Sequence, residues 1–140
     1  MKVTLNYIRI IGNRRIEYDY SYTEELSKYF SKDQFYVEYD VDISAVPISI
    51  AVIPFLANIM PIAWFVGFKV YINEVDRTFS EALLELKKEF ALHFPEMENS
   101  TNVNAKNLIT KRVVDNVFVG DNSALLFSGG LDSFESLTRN

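Results

Sequence analysis

The chain has 140 residues, of which 49% are hydrophobic and 24% are charged, and it contains no cysteine. This composition is typical of a globular rather than a disordered protein, and the absence of cysteine excludes a disulfide framework and thiolate chemistry. The net charge of −5 gives no strong signal for nucleic-acid binding, because proteins that bind phosphate backbones carry an excess of basic residues.

The first third of the chain alternates apolar and polar side chains with a period of two, which indicates half-buried strands. The alternating segments cover residues 2–7, 16–22 and 35–43. Gly12 and Asn13 separate the first two segments and predict a hairpin turn. Between the second and third segments, a short helix over 23–31 would turn three side chains inward: Leu26, Tyr29 and Phe30.

Residues 43–68 contain no charged side chain, and this run is long enough to cross a bilayer. Pro47, Pro54 and Pro61 interrupt it, and a proline inside a helix removes a hydrogen bond and clashes with the preceding turn. No basic cluster flanks the run. We therefore predict a buried helix broken by prolines, with Trp64 in the core, rather than a membrane anchor.

A fourth alternating segment, 68–73, predicts another strand. The capping box Thr78-Phe79-Ser80-Glu81 then predicts the start of an amphipathic helix that ends at Pro95. Residues 98–107 are polar and rich in turn formers, which predicts a linker. The sequence thus predicts an α/β chain, in which an α+β domain with antiparallel strands occupies 1–107 and a second unit occupies 108–140.

The second unit carries the motif with the clearest chemistry. An apolar run, 124–127, leads directly into Ser128-Gly129-Gly130-Leu131-Asp132-Ser133 and then into a helical segment. Glycines let the backbone turn sharply and approach a ligand closely. A loop at the start of a helix gathers backbone N–H groups into an anion site, and the serine hydroxyls add further donors. The alternative is an ordinary glycine turn between a strand and a helix.

This motif resembles the phosphate loop of the PP-loop ATP pyrophosphatases, which reads Ser-Gly-Gly-x-Asp-Ser after the first strand of a Rossmann-like domain. Asparagine synthetase and 7-cyano-7-deazaguanine synthase belong to this family. The resemblance implies that ATP, with Mg²⁺, is cut to AMP and pyrophosphate while a substrate carbonyl or carboxylate is adenylated for nitrogen or sulfur attack. It implies that five residues hold the leaving pyrophosphate: Ser128, Gly129, Gly130, Asp132 and Ser133.

The resemblance spans about residues 125–137, whereas a complete nucleotide domain needs roughly 100–150 residues. We therefore expect the amino-terminal part of a longer adenylating enzyme, inactive alone, which acts on an unidentified small-molecule or nucleoside substrate. The alternative is a non-catalytic binding or assembly module with a relic phosphate loop. An unpaired strand edge over 123–127 would favour a homo-oligomer. With no signal segment at the start, we expect a cytoplasmic location.

Two other groups of residues invite a functional interpretation. Five carboxylates are predicted to crowd one face of the early sheet: Glu17, Asp19, Glu38, Asp40 and Asp42. Such a cluster can bind a metal or transfer protons, but it is more typical of a solvated sheet face. His93, the only histidine, has no evident partner, so we predict a structural role and no metal site.

Overall fold

The computed structural model describes residues 1–100 and 106–117, with side chains described up to Met97 in the first range. The strands in these ranges are β1 (Lys2–Ile11), β2 (Arg15–Tyr22), β3 (Phe35–Glu38), β4 (Lys69–Asp76) and β5 (Leu108–Val114). The α-helices are α1 (Ile48–Ala51), α2 (Ile53–Val66), α3 (Arg77–His93) and α4 (Pro95–Ser100), and a 3₁₀ helix covers Glu24–Tyr29.

The strands form one mixed sheet in the order β3-β2-β1-β4-β5. β1–β2 and β2–β3 pair antiparallel, whereas β1–β4 and β4–β5 pair parallel. The predicted antiparallel pattern therefore holds for the first three strands only. Parallel neighbours need long crossover connections. Here α1 and α2 precede β4, and α3 and α4 lie between β4 and β5. The described chain is thus a mixed α/β fold.

The predicted hairpin between β1 and β2 is confirmed. Gly12 and Asn13 both adopt a φ of 60°, in the left-handed region. Two successive positive φ angles give a turn whose twist matches that of the flanking strands. The same turn also holds the segment after β3, because Tyr39 N–H donates to the Arg14 carbonyl and Ile43 N–H to that of Asn13. β3 ends at Glu38, opposite Arg15 at the start of β2, five residues before the predicted end at Ile43.

The uncharged segment contains a buried helix, as predicted, but the helix α2 continues through Pro61 instead of breaking there. α2 accommodates Pro54 in its first turn, where no intrahelical N–H bond is needed, and carries Pro61 in its interior. Its buried side chains are Phe55, Leu56, Ile59, Met60, Ala63 and Trp64. No helix in the described ranges is long and apolar enough to cross a membrane. α2 ends at Gly67, whose φ of 89° suits a glycine cap.

The start of α3 differs from the predicted capping box. The helix begins at Arg77, and its cap is Asp76, whose Oδ2 accepts the Phe79 backbone N–H at 3.0 Å. Thr78 therefore lies inside the first turn. The helix ends at His93, before Pro95, as predicted. Residues 95–100 then form α4 rather than the start of a linker.

The short helix after β2 is also confirmed, although only one of its three predicted inward side chains is buried. Leu26 lies in the core, Phe30 packs partly against it, and Tyr29 is exposed. Farther along the chain, β5 pairs with β4 in the same sheet. Residues 108–114 thus pack with the sheet of the predicted 1–107 domain, and the division into two domains stays a prediction.

Candidate functional site

The predicted phosphate loop lies outside the described residues. This holds for all five predicted pyrophosphate ligands, Ser128, Gly129, Gly130, Asp132 and Ser133, and for the apolar run before them. The loop therefore stays a prediction from the sequence. The described part of the chain ends at Val117, eleven residues before Ser128.

A polar cluster lies at the carboxyl ends of β4 and β5, close to this point. Asp76 is the last residue of β4 and is only 4% exposed. Asn116 follows β5 by two residues, and its Nδ2 donates to Asp76 Oδ1 and to Ser49 Oγ, both at 2.9 Å. Ser49 is itself buried in α1. The cluster thus joins three elements at one end of the sheet.

The hydrogen bonds of Asp76 show what this cluster does. Its Oδ1 accepts from the Asn116 side chain, and its Oδ2 accepts from the Phe79 backbone N–H. A buried carboxylate held by donors on both oxygens serves to fix the backbone around it. Beside it, the exposed Arg77 and Asp115 form an ion pair of 2.6 Å. These contacts hold the segment that follows β5 against the end of β4 and the start of α3.

The residues here do not form a metal site. In the described ranges no group of three or more His, Cys, Asp or Glu side chains could hold a metal ion. Both oxygens of Asp76 face nitrogen donors rather than further carboxylates. The contacts of this cluster are therefore structural. The cluster nevertheless lies at the carboxyl ends of the strands, where parallel α/β sheets bind their ligands.

Two of the five carboxylates of the predicted acidic face, Glu17 and Glu38, are paired with arginines. Arg15 contacts Glu17 and Glu38, each at 2.9 Å, and lies 3.6 Å from the centre of the Tyr36 ring. Arg9 contacts Glu17 at 3.3 Å. The hydrogen bond that Arg15 donates to Glu38, and the weaker effect of its bond to Glu17, raise the pKa of Arg15. Glu17 and Glu38 thus form an ion-paired, solvated surface, whereas Asp40 and Asp42 lie beyond the end of β3 and do not join the predicted cluster on the sheet.

A second polar group lies inside the core, and it was not predicted from the sequence. Lys87 on α3 is only 4% exposed, and its Nζ donates to Asn107 Oδ1 at 2.7 Å. Asn107 Nδ2 in turn donates to the Phe68 carbonyl at 2.9 Å. Burial lowers the pKa of Lys87. The one available signal was spacing, because Lys87 follows the buried Leu83 by four residues.

Lys87 lies on the wall of a cavity between α2, α3 and β5. The cavity has a volume of about 340 Å³ and is largely apolar. Its described lining residues are Met60, Trp64, Ser80, Leu83, Leu84, Lys87, Lys106, Asn107, Leu108, Thr110 and Val113. A cavity of this size falls in the range of small-molecule sites, about 300–1,000 Å³.

Trp64 and His93, both singled out from the sequence, and Arg112 on β5 have the following contacts. Trp64 is buried, and its ring centre lies 5.5 Å from that of Phe90. His93 is exposed, with its Nε2 4.0 Å from Glu89. Arg112 pairs with Glu74 across the parallel strands. Within the described ranges, none of these contacts assembles a set of catalytic side chains.

Comparisons with protein-family models, with curated proteins and with solved structures found no match for this chain. The resemblance to the PP-loop enzymes therefore rests on the residues of the loop itself. The described fold contributes two further observations. The sheet is of the mixed α/β class, and the Asp76–Asn116 bond holds the chain where it leaves β5.

Proposed function

We propose that this chain is the amino-terminal part of an ATP-dependent adenylating enzyme of the PP-loop type. Such an enzyme cuts ATP into AMP and pyrophosphate and activates a substrate carbonyl or carboxylate for attack by nitrogen or sulfur. The observation that carries the proposal is the loop Ser128-Gly129-Gly130-Leu131-Asp132-Ser133, preceded by the apolar run 124–127.

The donor set of the loop fits a magnesium–triphosphate ligand. Gly129 and Gly130 lack side chains, so their backbone N–H groups can approach phosphate oxygens closely. Ser128 and Ser133 supply hydroxyl donors, and Asp132 supplies the single carboxylate. Mg²⁺ prefers one or two carboxylates together with phosphate oxygens, and bound there it would neutralise the pyrophosphate leaving group.

The described fold supports the proposal at the level of fold class. β1, β4 and β5 run parallel as neighbours in one α/β sheet. The bond between Asp76 and Asn116 fixes the chain twelve residues before Ser128.

Nucleotide binding by the native protein tests the proposal. Titration calorimetry with Mg²⁺ and the non-hydrolysable analogue α,β-methylene-ATP should give saturable binding. Asp132→Ala and Ser133→Ala should each weaken it by about tenfold or more, because each removes a charged or charge-assisted contact. Asp40→Ala and Ser31→Ala are matched controls on the exposed surface of the sheet domain and should leave binding unchanged.

The outcomes separate the proposal from its alternative. Equal nucleotide affinity in the loop variants and the controls would contradict the assignment of the loop. Binding of free pyrophosphate without binding of the nucleotide would instead identify a non-catalytic module with a relic phosphate loop. Circular dichroism of each variant, with an unchanged helix signal, shows that a loss of binding is not a loss of folding.

A further inference from the structure

The outer edge of β2 is only partly covered by β3. β3 pairs with β2 from Arg15 to Tyr18, so within the described ranges no strand lies beside residues 19–22 on that edge. A cleft of about 440 Å³ opens at this place, between β2 and residues 31–34, which precede β3. A cleft of this size can hold a small ligand or a short stretch of peptide.

The main chain of Tyr20 points toward this open edge. Successive residues of a strand direct their N–H and C=O groups to alternate edges. The Tyr18 carbonyl points to the β3 edge, where it accepts from Gln34 Nε2 at 3.0 Å. The Thr23 N–H points to the β1 edge, where it donates to the Lys2 carbonyl at 3.1 Å. Tyr20 therefore presents its N–H and C=O groups to the β3 edge, and such groups can pair with another extended chain.

The side chains at this edge add a charge on one face of β2 and an aromatic ring on the other. Asp19 is half-buried on the cleft wall, and its carboxylate has no hydrogen bond or ion pair with any described residue. The Tyr20 ring centre lies 5.5 Å from that of Phe55 and 5.9 Å from that of Phe30, so the ring is held in place. Because side chains alternate between the two faces of a sheet, a strand paired here would meet both Asp19 and Tyr20.

We propose that the edge of β2 at Tyr20 binds an extended peptide segment with a basic side chain, as an antiparallel strand in the place that β3 leaves open. The peptide main chain exchanges hydrogen bonds with Tyr20, its basic side chain faces Asp19, and an apolar neighbour lies against the Tyr20 ring.

Charge and length favour this occupant. Lys32 and Asp33 on the opposite wall offset each other, so Asp19 gives the described lining a net negative charge that is complementary to a cation. At about 3.3 Å per residue, residues 19–22 span roughly 13 Å, which suits a segment of about four residues.

This inference goes beyond the proposed ATP reaction and does not depend on it. None of the described residues that line the cleft belongs to the loop at 128–133. Loss of nucleotide binding in Asp132→Ala would leave peptide binding intact, and absence of peptide binding would leave the assignment of the loop untouched.

Amide NMR of the isotope-labelled chain tests the proposal with one probe, the capped peptide acetyl-Val-Lys-Val-Lys-Val-amide. Titration should shift the Tyr20 amide signal in a saturable way and slow its hydrogen exchange, because the amide gains an acceptor. The same peptide methylated at its three valine nitrogens keeps its charge but loses the main-chain donors opposite Tyr20. It should bind about tenfold more weakly. No saturable shift at Tyr20, or equal affinity of the methylated peptide, would overturn the proposal.

Charge variants test the contact with Asp19. The peptide acetyl-Val-Glu-Val-Glu-Val-amide should bind at least about threefold more weakly than the lysine peptide, because its carboxylates face a like charge. Asp19→Asn keeps the size of the side chain and should remove this preference. Asp40→Asn, at an exposed carboxylate beyond β3, is the matched control and should retain it. A preference that survives in Asp19→Asn would overturn the choice of a basic peptide.

A second copy of the chain is the competing occupant of this edge, and the same NMR signal distinguishes it. If a second copy paired here, the Tyr20 amide would become protected from exchange as the protein concentration rises, without any peptide. Such protection would overturn the proposal. We expect the exchange rate of the Tyr20 amide to be independent of protein concentration and to fall only when the lysine peptide is added.

Discussion

The side-chain nitrogen of Asn116 lies 2.9 Å from the Oδ1 of Asp76 and joins the residue beyond β5 to the last residue of β4. Forty positions separate the two in sequence. Because Asp76 is buried, the amide is a donor that solvent does not readily replace. This contact fixes the direction in which the chain leaves the sheet toward Ser128.

Replacement of Asn116 tests the importance of this contact. Asn116→Ala should lower the free energy of unfolding by about 1–3 kcal/mol, because it leaves a buried carboxylate oxygen without its donor. Urea denaturation followed by circular dichroism measures the change. Asn6→Ala, at an exposed position of β1, is the matched control and should change stability by less than about 0.5 kcal/mol. Equal effects of the two variants would show that the Asp76–Asn116 bond contributes nothing.

The cap of α3 gives a second prediction. Asp76→Ala removes the acceptor of the Phe79 N–H and should cost about 1–2 kcal/mol for the cap alone. Thr78→Ala changes an exposed side chain inside the first turn, so its effect should stay within about 0.5 kcal/mol. Thermal unfolding of both variants decides between the observed cap and the capping box predicted from the sequence. A larger loss from Thr78→Ala would favour the capping box.

Tyr18 predicts a pH dependence of stability. Its hydroxyl donates to the Ala51 carbonyl at 2.6 Å, and burial raises its pKa well above the ordinary value of 10.0. A group whose folded pKa is raised stabilises fully below the unfolded pKa, and this contribution is lost as pH rises above it. The wild-type chain should therefore lose stability above about pH 10 more steeply than Tyr18→Phe.

Two measurements on Tyr18→Phe check this account. At neutral pH the variant should lose about 0.5–1.5 kcal/mol, the usual net contribution of a hydrogen bond. Above about pH 10, its urea midpoint should fall less steeply than that of the wild type. Tyr36→Phe, at an exposed tyrosine of β3, is the control and should follow the wild-type profile. A parallel decline in Tyr18→Phe and the wild type would contradict the burial of the phenol.

The hairpin turn at Gly12 allows the energetic cost of its backbone conformation to be measured without a change in side-chain contacts. A Cβ added at Gly12 would meet no atom within 4 Å, so Gly12→Ala should act only through its φ of 60°. We expect a loss of about 1 kcal/mol, the cost of a left-handed conformation for an L-residue. Asn13→Gly should be neutral or slightly stabilising, because glycine adopts this φ freely. A neutral Gly12→Ala, measured by thermal unfolding, would contradict the turn geometry.

The sequence predicted the elements whose signals are local. Period-two alternation located β1, β2 and β4, and the prolines separated the buried helix from a membrane span. Contacts between distant residues escaped prediction. β3 ends early because its partner β2 begins at Arg15, opposite Glu38, and no pattern near position 39 indicates where that partner begins.

The same difference between local signals and long-range contacts explains which candidate sites were predicted from the sequence. The phosphate loop is a contiguous motif, so the sequence shows it directly and supplies its family resemblance. The Asp76–Asn116 pair and the buried Lys87 depend on strands and helices that meet only in the folded chain. A lysine within an apolar helix pattern is usually exposed at the edge of the stripe. Its burial follows from the packing of α3 over Asn107.

Identifying which phosphate bond of ATP is cleaved tests the central proposal most directly. The native protein, captured with an antibody against residues 1–97, would be incubated with Mg²⁺, ATP labelled at the α phosphate and a small-molecule extract of its source cell. The account predicts labelled AMP with an equal amount of pyrophosphate, and loss of both in Asp132→Ala. Labelled ADP, or AMP formation that survives in Asp132→Ala, would contradict the account.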